Sequence, residues 1–282
     1  MNAALWMSGT LLSFCMMAVA GRELAGAIST FEILFMRSAI GLVVVALLIW
    51  KSGQRGLFST TRFKLQLGRN LSHFAGQYGW FLGLGLLPLA QVFALEFTTP
   101  LWTLLVASIF LGESLTGRKL AALALGFVGV YLILNPGREI FNPASLYVLA
   151  AALFYAVSHV ATKALGSTDK PLTILFYMCA IQLPLGLLLG AGHFVWPDAR
   201  QWFWLVVVGL AALGAHFCMT NAMRRTEVSV VVTLDFLRLP LIAAVGMLVY
   251  HEPFEPLLLA AAGLMLTGNL INMRRPQKAR AD

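Results

Sequence analysis

The two halves of the chain carry related sequences, and this duplication limits the possible folds more than any other feature. Residues 32–42 read EILFMRSAIGL and residues 173–183 read TILFYMCAIQL, at an offset of 141 positions. At nearly the same spacing Glu113 corresponds to Glu252, and Gly129 corresponds to Gly268. We therefore predict two tandem copies of one structural unit, residues 1–137 and residues 138–282.

The composition places both copies in a membrane. Hydrophobic residues make up 59% of the chain and charged residues only 11%, whereas a soluble globular protein has about 25% charged residues. Cys15, Cys179 and Cys218 all lie in apolar stretches and form no CxxC or Cys/His spacing. We therefore expect no disulfide framework, no metal site and no cofactor.

Ten segments are apolar and long enough to cross roughly 30 Å of hydrocarbon as helices. They cover residues 3–20, 31–50, 69–87, 89–111, 119–135, 144–163, 171–191, 201–222, 228–250 and 255–273. Each copy then holds five spans, and because five is odd the second copy must be inverted relative to the first. The predicted fold is an all-α polytopic membrane protein with ten transmembrane helices in two inverted five-helix repeats, an arrangement typical of transporters.

The distribution of positive charge predicts that both termini lie in the cytoplasm. With that orientation fifteen lysines and arginines, Arg69 among them, lie on the cytoplasmic side, and only Arg22, Arg138 and Arg200 lie outside. Such an excess on the cytoplasmic side is typical of membrane proteins. The net charge of +8 is therefore a topology signal, and we expect no nucleic-acid partner.

The first span has one alternative interpretation, because Ala18-Val19-Ala20 resembles a signal-peptidase site. The residues before this span include no lysine or arginine, and the span runs into residues 22–24, which correspond to residues 163–165 after the sixth span. We therefore expect a retained helix that belongs to the first copy.

Several motifs resemble the EamA family of the drug/metabolite transporter superfamily over essentially the whole chain. They are FMR at residues 35–37, TPLWT at 99–103, FLGESL at 110–115 and GFVGVYLI at 126–133, with LPL at 239–241 and YHEP at 250–253 in the second copy. The resemblance implies ten helices in two inverted repeats, a location in the bacterial inner membrane, and export of amino acids and related metabolites. Residues 30–37 particularly resemble the S-adenosylmethionine transporter branch.

Ionisable side chains inside spans are expensive and point to function. Glu96 lies about seven residues into span four and Asp235 a similar distance into span nine, which is roughly 10 Å at a rise of 1.5 Å per residue. Inversion would place one carboxylate in each leaflet, where the two could act as symmetric gates. Alternatively each carboxylate is only neutralised by a neighbour: Asp235 by Arg238, three residues later on the same face, and Glu96 by Arg37.

Other polar and aromatic residues are candidates for lining a cavity. Pro100 and Pro240 lie midway along spans four and nine and predict helix breaks or hinges. We expect spans one, three, four, six, eight and nine to surround the substrate path. The candidate residues that line it are His73, Gln77, Trp80, Trp102, His216 and Asn221, and Glu32 is a weaker charge partner near the start of span two. Packing roles remain open for the histidines, the prolines and Glu32.

These patterns predict a secondary transporter that lies in the lipid bilayer and moves a small organic substrate. We expect it to act as a monomer or homodimer, with protons as a candidate coupling ion. Export of an amino acid or an amino-acid-derived zwitterion or cation is the favoured function. Uptake of S-adenosylmethionine or of a vitamin such as riboflavin is the alternative. An intramembrane enzyme is disfavoured because HExxH, GxSxG and Walker A motifs are missing from the sequence, and a passive channel because no filter-like glycine run or ring of charges is visible.

The predicted orientation can be tested with introduced cysteines. We expect Arg138→Cys to react with a membrane-impermeant thiol reagent in intact spheroplasts, because residue 138 lies outside, and Arg118→Cys to remain unlabelled. The chain with only its native cysteines gives the background labelling. Labelling at position 118 without labelling at position 138 would overturn the orientation.

Overall fold

The computed structural model describes residues 3–111, 116–134, 142–223, 234–253 and 255–273. Glu113, Arg138 and the expected beginning of span nine at residues 228–233 lie outside this part of the chain. Nearly all described residues are helical, and none of them belongs to a β-strand. The all-helical fold expected from the composition is therefore confirmed.

The helices follow the ten predicted segments, two of which are interrupted. They are α1 (Ala3–Leu24), α2 (Thr30–Lys51), α3 (Phe63–Leu86), α4 (Leu89–Glu96), α5 (Thr99–Leu111), α6 (Gly117–Leu134), α7 (Ala144–Leu165), α8 (Pro171–Gly190), α9 (Ala199–Met223), α10 (Arg238–Tyr250) and α11 (Pro256–Met273). Helices α4 and α5 together form span four, and α10 forms the second part of span nine. Short 3₁₀ turns at Arg55–Phe58 and Ala191–His193 lie between α2 and α3 and after α8.

Local sequence signals explain several helix ends. Ser29 precedes α2, and its hydroxyl accepts a hydrogen bond from the Glu32 backbone N–H at 3.2 Å, as in an N-terminal cap. Pro171 begins α8, where its missing N–H leaves no helical hydrogen bond unmade. The carboxamide of Asn142 accepts from the Ala144 N–H at 2.9 Å at the start of α7.

Helix α3 begins earlier than the sequence predicts. It includes residues 63–68, which the hydrophobic pattern assigned to a cytoplasmic loop, and Arg69 is consequently a buried residue inside the helix. Six stretches of the described helices are long and apolar enough to span a membrane, and α3 is not among them. Its side chains Asn70, His73 and Gln77 are buried, so hydropathy alone underestimates how deeply this helix lies in the protein.

The two copies intertwine rather than lying side by side. Helix α1 packs against α9, and α3 packs against α7. Spans one and three of the first copy therefore contact spans eight and six of the second copy. Helices α2 and α8 pack together, as do α4 with α10 and α6 with α11. These are the pairs expected when two inverted five-helix repeats are related by a two-fold axis in the membrane plane. Helix α4 lies at the centre, where Phe93 and Leu95 are fully buried.

Helices α3 and α7 approach closely at Gly79. A Cβ atom at this position would lie 2.5 Å from the Tyr147 carbonyl oxygen and 3.2 Å from the Ala151 methyl group. Small residues of this kind allow transmembrane backbones to come together. By contrast, Gly68 on the same helix has open space around the position of a Cβ.

We expect Gly79→Ala to lower the unfolding temperature of the purified protein, because the rigid α7 backbone cannot move away from the new methyl group. Gly68→Ala is the matched control, and we expect it to leave that temperature unchanged or to raise it, since alanine favours a helix over glycine by about 1 kcal/mol. Equal unfolding temperatures for Gly79→Ala and Gly68→Ala would contradict the close packing of α3 on α7.

Candidate functional site

Two helix breaks place charged residues in the middle of the protein. Helix α4 ends at Glu96, and α5 begins at Thr99 after a turn at Phe97 and Thr98. In the second copy residues 234–235 are helical, and after a turn at residues 236–237 the chain continues as α10 from Arg238. Phe97 and Phe236 correspond at an offset of 139 positions, and their rings stack with centroids 4.5 Å apart. The two breaks therefore meet each other.

The prolines predicted to break these helices lie just after the breaks. Pro100 is the second residue of α5, and Pro240 is the third residue of α10. A proline is tolerated in the first turn of a helix, but it cannot donate to the carbonyl four residues earlier. For Pro100 that carbonyl belongs to Glu96, which accepts instead from the Thr99 hydroxyl at 2.6 Å.

Arg238 lies between the two carboxylates that the sequence singles out. Its Nη2 is 2.9 Å from Oδ2 of Asp235 and 3.5 Å from Oε1 of Glu96. The Trp80 indole N–H donates to the other carboxylate oxygen of Glu96 at 2.8 Å. We call Trp80, Glu96, Asp235 and Arg238 the Arg238 cluster.

Aromatic rings enclose the guanidinium of Arg238. Its Cζ lies 4.5 Å from the ring centroid of Phe14, 5.2 Å from that of Phe97 and 5.4 Å from that of Phe93. Each ring contributes a cation–π attraction in surroundings from which water is largely excluded. The arginine is only 4% exposed, so its position is fixed by both charge and packing.

The geometry differs from the sequence prediction in how Glu96 is paired. The alternative interpretation pairs Glu96 with Arg37, but the ion pair forms with Arg238. The two carboxylates also share this one arginine. If each carboxylate lies roughly 10 Å below its own surface of a 30 Å hydrocarbon layer, about 10 Å separates the two backbone positions. The side chains of one arginine and two acidic residues together span that distance.

A second group of buried polar side chains lies on α2, α3 and α8. Gln182 contacts α3 through its Nε2, which is 3.0 Å from Nδ1 of His73 and 3.3 Å from the Asn70 carbonyl oxygen. Arg69 donates to Oδ1 of Asn70 at 2.6 Å and to the Thr162 hydroxyl at 3.1 Å. With Arg37, these residues form what we call the basic cluster: Arg37, Arg69, Asn70, His73 and Gln182.

The two clusters adjoin each other through aromatic and imidazole rings. The His73 ring lies 5.6 Å from Tyr155 and 6.0 Å from His216, and His216 lies 6.0 Å from Phe14, which covers Arg238. A continuous polar region therefore runs between the two copies.

Many buried polar atoms of this region have no hydrogen-bond partner. They include donors on Arg37 (Nε), Asn70 (Nδ2) and Arg238 (Nε and Nη1), and oxygens of Gln77, Ser158, Gln182 and Asp235. Buried polar atoms are almost always hydrogen-bonded in folded proteins. These unpaired atoms leave hydrogen-bonding capacity in the part of the protein where the two copies meet.

Three predicted residues lie apart from both clusters. Trp102 donates to the Thr98 hydroxyl at 3.1 Å and packs edge-on against Phe127 of α6. The Asn221 amide donates to the Phe217 carbonyl within α9. Glu32 accepts from the Val195 backbone N–H at 3.3 Å, and none of the described ion pairs joins it to Arg37.

The sequence prediction missed two helices of this region. The predicted lining omitted spans two and seven, yet α2 contributes Arg37 and α8 contributes Gln182. Gln182 is the residue that indicates the role of α8, because it is a fully buried amide in an otherwise largely apolar helix. Its sequence segment is used above only to align the two copies. Arg69 was missed because it was counted with a loop.

An ion pair and hydrogen bonds join different parts of the chain at the two ends of the bundle. At the end where α1 terminates, Arg22 forms an ion pair with Glu252, whose other oxygen accepts from the Leu89 N–H at 2.9 Å at the start of α4. At the opposite end, Asp169 accepts from Thr60 and from Gln66, both at 2.7 Å. We call these contacts the Glu252 clasp and the Asp169 clasp.

A metal centre finds no support in these side chains. Within the described part of the chain, no three His, Cys, Asp or Glu side chains come together in an arrangement that could hold a metal ion. The chemistry of the region is that of ion pairs, amides and aromatic rings, which suits binding of an organic molecule.

Interrupted helices that meet between inverted repeats, around a buried polar region, define a polytopic membrane transporter. Comparison with protein families agrees, since the model of the EamA-like transporter family matches residues 1–135 and again residues 142–274. The chain belongs to this family. It is therefore a transporter and not an enzyme.

Related proteins share most of its length. A protein of Rickettsia bellii named S-adenosylmethionine uptake transporter is 24% identical over 274 residues, covering 97% of this chain and 94% of that protein. A riboflavin transporter of Brucella anthropi is 30% identical over 249 residues, covering 86% and 87%. A pseudopaline exporter of Pseudomonas aeruginosa is 25% identical over 281 residues, covering 96% and 97%.

A solved crystal structure shares the fold. It superimposes with a TM-score of 0.69 at 21% sequence identity and covers 96% of each chain. This similarity concerns the arrangement of the helices alone.

We expect Arg238→Gln to lower the unfolding temperature of the purified protein strongly, because it leaves two buried carboxylates without their counter-charge. Loss of one partner of a buried ion pair typically costs about 3–5 kcal/mol. The triple variant Glu96→Gln, Asp235→Asn, Arg238→Gln is the control, and it should recover much of the loss since no buried charge remains. A triple variant as unstable as Arg238→Gln alone would show that packing of the arginine, and not its charge, supports this region.

Proposed function

We propose that this chain is a secondary transporter that exports a small organic metabolite across the bacterial inner membrane by alternating access. The observation that carries the proposal is the set of buried polar atoms without partners between the two copies. Each such atom destabilises the folded protein by about 1–3 kcal/mol, and polar groups of a bound substrate would satisfy them. The candidate binding residues are those of the Arg238 cluster with His73, Gln77 and His216.

The charges of the region support an amino acid, or an amino-acid-derived zwitterion or cation, as the substrate. Glu96 and Asp235 can receive a positive group, whereas Arg37 and Arg238 can receive a negative one. Phe14, Phe93 and Phe97 add aromatic faces that favour a cation. The pseudopaline exporter among the relatives supports export as the direction.

Uptake is the second candidate function, because the Rickettsia relative is named for uptake of S-adenosylmethionine and the Brucella relative for transport of riboflavin. S-adenosylmethionine is itself an amino-acid-derived cation, so the same buried charges suit it. Riboflavin carries no ionised group at neutral pH, so it would make less use of them.

Alternating access would require that only one of the two clasps is open at a time. In the proposed cycle, the repeats at residues 1–137 and 138–282 move against each other, and the Glu252 clasp and the Asp169 clasp open in turn. Both termini would lie in the cytoplasm, which puts the Glu252 clasp on the outer side. Since the sequence has no nucleotide-binding loop, energy would come from an ion gradient or from exchange with another solute. The buried carboxylates make protons the favoured coupling ion.

The decisive experiment compares metabolites in cells and medium when the gene is deleted and when it is overexpressed. Export predicts that one class of metabolite accumulates inside the deletion strain and in the medium of the overexpressing strain, and uptake predicts the opposite. Flux of that metabolite into proteoliposomes should saturate with concentration. A flux that never saturates and accompanies ion conductance would indicate a channel.

We expect Glu96→Gln to abolish flux driven by a proton gradient in proteoliposomes, because the amide keeps the shape of the side chain but cannot bind and release a proton. Asp235→Asn should act similarly but less cleanly, since it also removes the 2.9 Å partner of Arg238. Glu255→Gln, at an exposed position, is the control and should transport normally. If Glu96→Gln transports at the wild-type rate with unchanged pH dependence, Glu96 is a structural residue and proton coupling through it fails.

A further inference from the structure

Arg37 is buried in the centre of the protein. Its side chain is 4% exposed. On the two sides of it along α2, Phe35 packs against Gly186, and Gly41 packs against Cys179 of the antiparallel helix α8. These contacts put Arg37 at the level of Gln182, which reaches across to His73 and Asn70. Arg37 thus belongs to the polar region between the repeats and does not extend to the membrane surface.

The described carboxylates are all engaged away from Arg37. Glu96 and Asp235 bind Arg238, and the remaining ones with hydrogen bonds or ion pairs lie toward the ends of the bundle: Glu23, Glu32, Asp169, Asp198 and Glu252. Glu255 is exposed beyond the end of α10. Within the described part of the chain, the Arg37 guanidinium therefore has no carboxylate partner, and its Nε has no hydrogen bond.

Arg69 adds a second positive charge to the same region. Its described hydrogen bonds go to neutral oxygens of Asn70 and Thr162. Gln182, at the level of Arg37, contacts the Asn70 backbone, and Arg69 donates to the Asn70 side chain, so the two positive charges lie in the same region and repel each other. Two buried guanidinium groups without a counter-charge are expensive in a membrane protein, so this arrangement favours binding of an anion.

The unpaired atoms of the basic cluster are two nitrogens and the amide oxygen of Gln182. Nε of Arg37 and Nδ2 of Asn70 are both donors without an acceptor. A guanidinium presents its N–H groups as a planar fork that matches the two oxygens of a carboxylate. The Arg238 cluster has the opposite balance, since two carboxylates face one arginine there.

We propose that Arg37, together with Arg69 and Asn70, binds the carboxylate group of the transported metabolite, while Glu96 and Asp235 face its positive end. This assignment rests on the proposed transport function and specifies it: the substrate carries a free carboxylate. The rings of His73, His216 and Phe14 form a chain of contacts that leads from the basic cluster to Arg238, so the two clusters border one region. A substrate without an anionic group would leave the two arginines uncompensated.

The test uses the metabolites of the cell as the probe. Wild type, Arg37→Gln and Arg37→Lys are overproduced, and the metabolites that change between cells and medium are identified by mass spectrometry. We expect the metabolites moved by wild type to carry a carboxylate. Arg37→Gln should move them at least about tenfold more slowly, since a charge-assisted hydrogen bond is lost, and Arg37→Lys should recover only part of the rate because it lacks the fork.

A second measurement separates substrate binding from a structural role. Without added metabolite, we expect purified Arg37→Gln to unfold at a temperature no lower than wild type, because the substitution removes a buried charge that no described carboxylate neutralises. Arg200→Gln is the matched control: Arg200 is largely exposed and pairs with Glu23 at 2.7 Å, and its loss should affect neither transport nor unfolding much. A clear fall in the unfolding temperature of Arg37→Gln would make Arg37 a structural residue and overturn the assignment.

The outcomes also separate this assignment from the proposed function. If wild type moves no metabolite, the transport proposal fails and this assignment fails with it. If wild type moves metabolites that lack a carboxylate, or if Arg37→Gln moves the same metabolites as fast as wild type, transport stands and the carboxylate subsite is wrong. Finally, the primary amide of the transported metabolite should compete poorly with the metabolite itself for transport by wild type in proteoliposomes. Equal competition by the amide and by the unlabelled acid would count against the subsite.

Discussion

The interaction on which the centre of this protein depends is the sharing of Arg238 between Asp235 and Glu96. It joins α4 of the first copy to α10 of the second, at the point where the stacked rings of Phe97 and Phe236 bring the two helix breaks together. Arg238 is the first residue of α10 and Glu96 is the last of α4, so each charge stands at the helix end of its own sign, where it is disfavoured. Pairing across the two copies offsets that disadvantage.

A buried ion pair of this kind adds little net stability, because removing two charges from water costs about as much as their attraction returns. Its partners can, however, be replaced by other charged groups. A positive group of a ligand can compete with Arg238 for the carboxylates, and a proton can take the place of either. A protein that alternates between two states, as proposed here, requires interactions that can be exchanged at little cost in energy.

The sequence predicted the parts of the structure that depend on local pattern. The repeat, the spans and the polar positions of α3 all follow from periodicity and composition, and Glu96, Asp235, His73, Gln77 and Trp80 lie in the region between the copies as their burial would suggest. Which arginine pairs with which carboxylate could not be predicted in the same way. Whether Glu96 meets Arg37 or Arg238 is decided by helix packing between residues 142 positions apart in sequence, and the burial of Arg69 and Gln182 depends on neighbours from the other copy.

The packing of α1 on α9 and of α3 on α7 has a consequence for either copy taken alone. Each five-helix copy buries the faces of its first and third spans mainly against the other copy, and the polar side chains of α3 find partners such as Gln182 and Thr162 there. A single copy in a bilayer would expose these polar groups to lipid, where nothing could satisfy them. A half-length chain with the same polar third helix would therefore need a second chain, inserted in the opposite direction, to cover these groups.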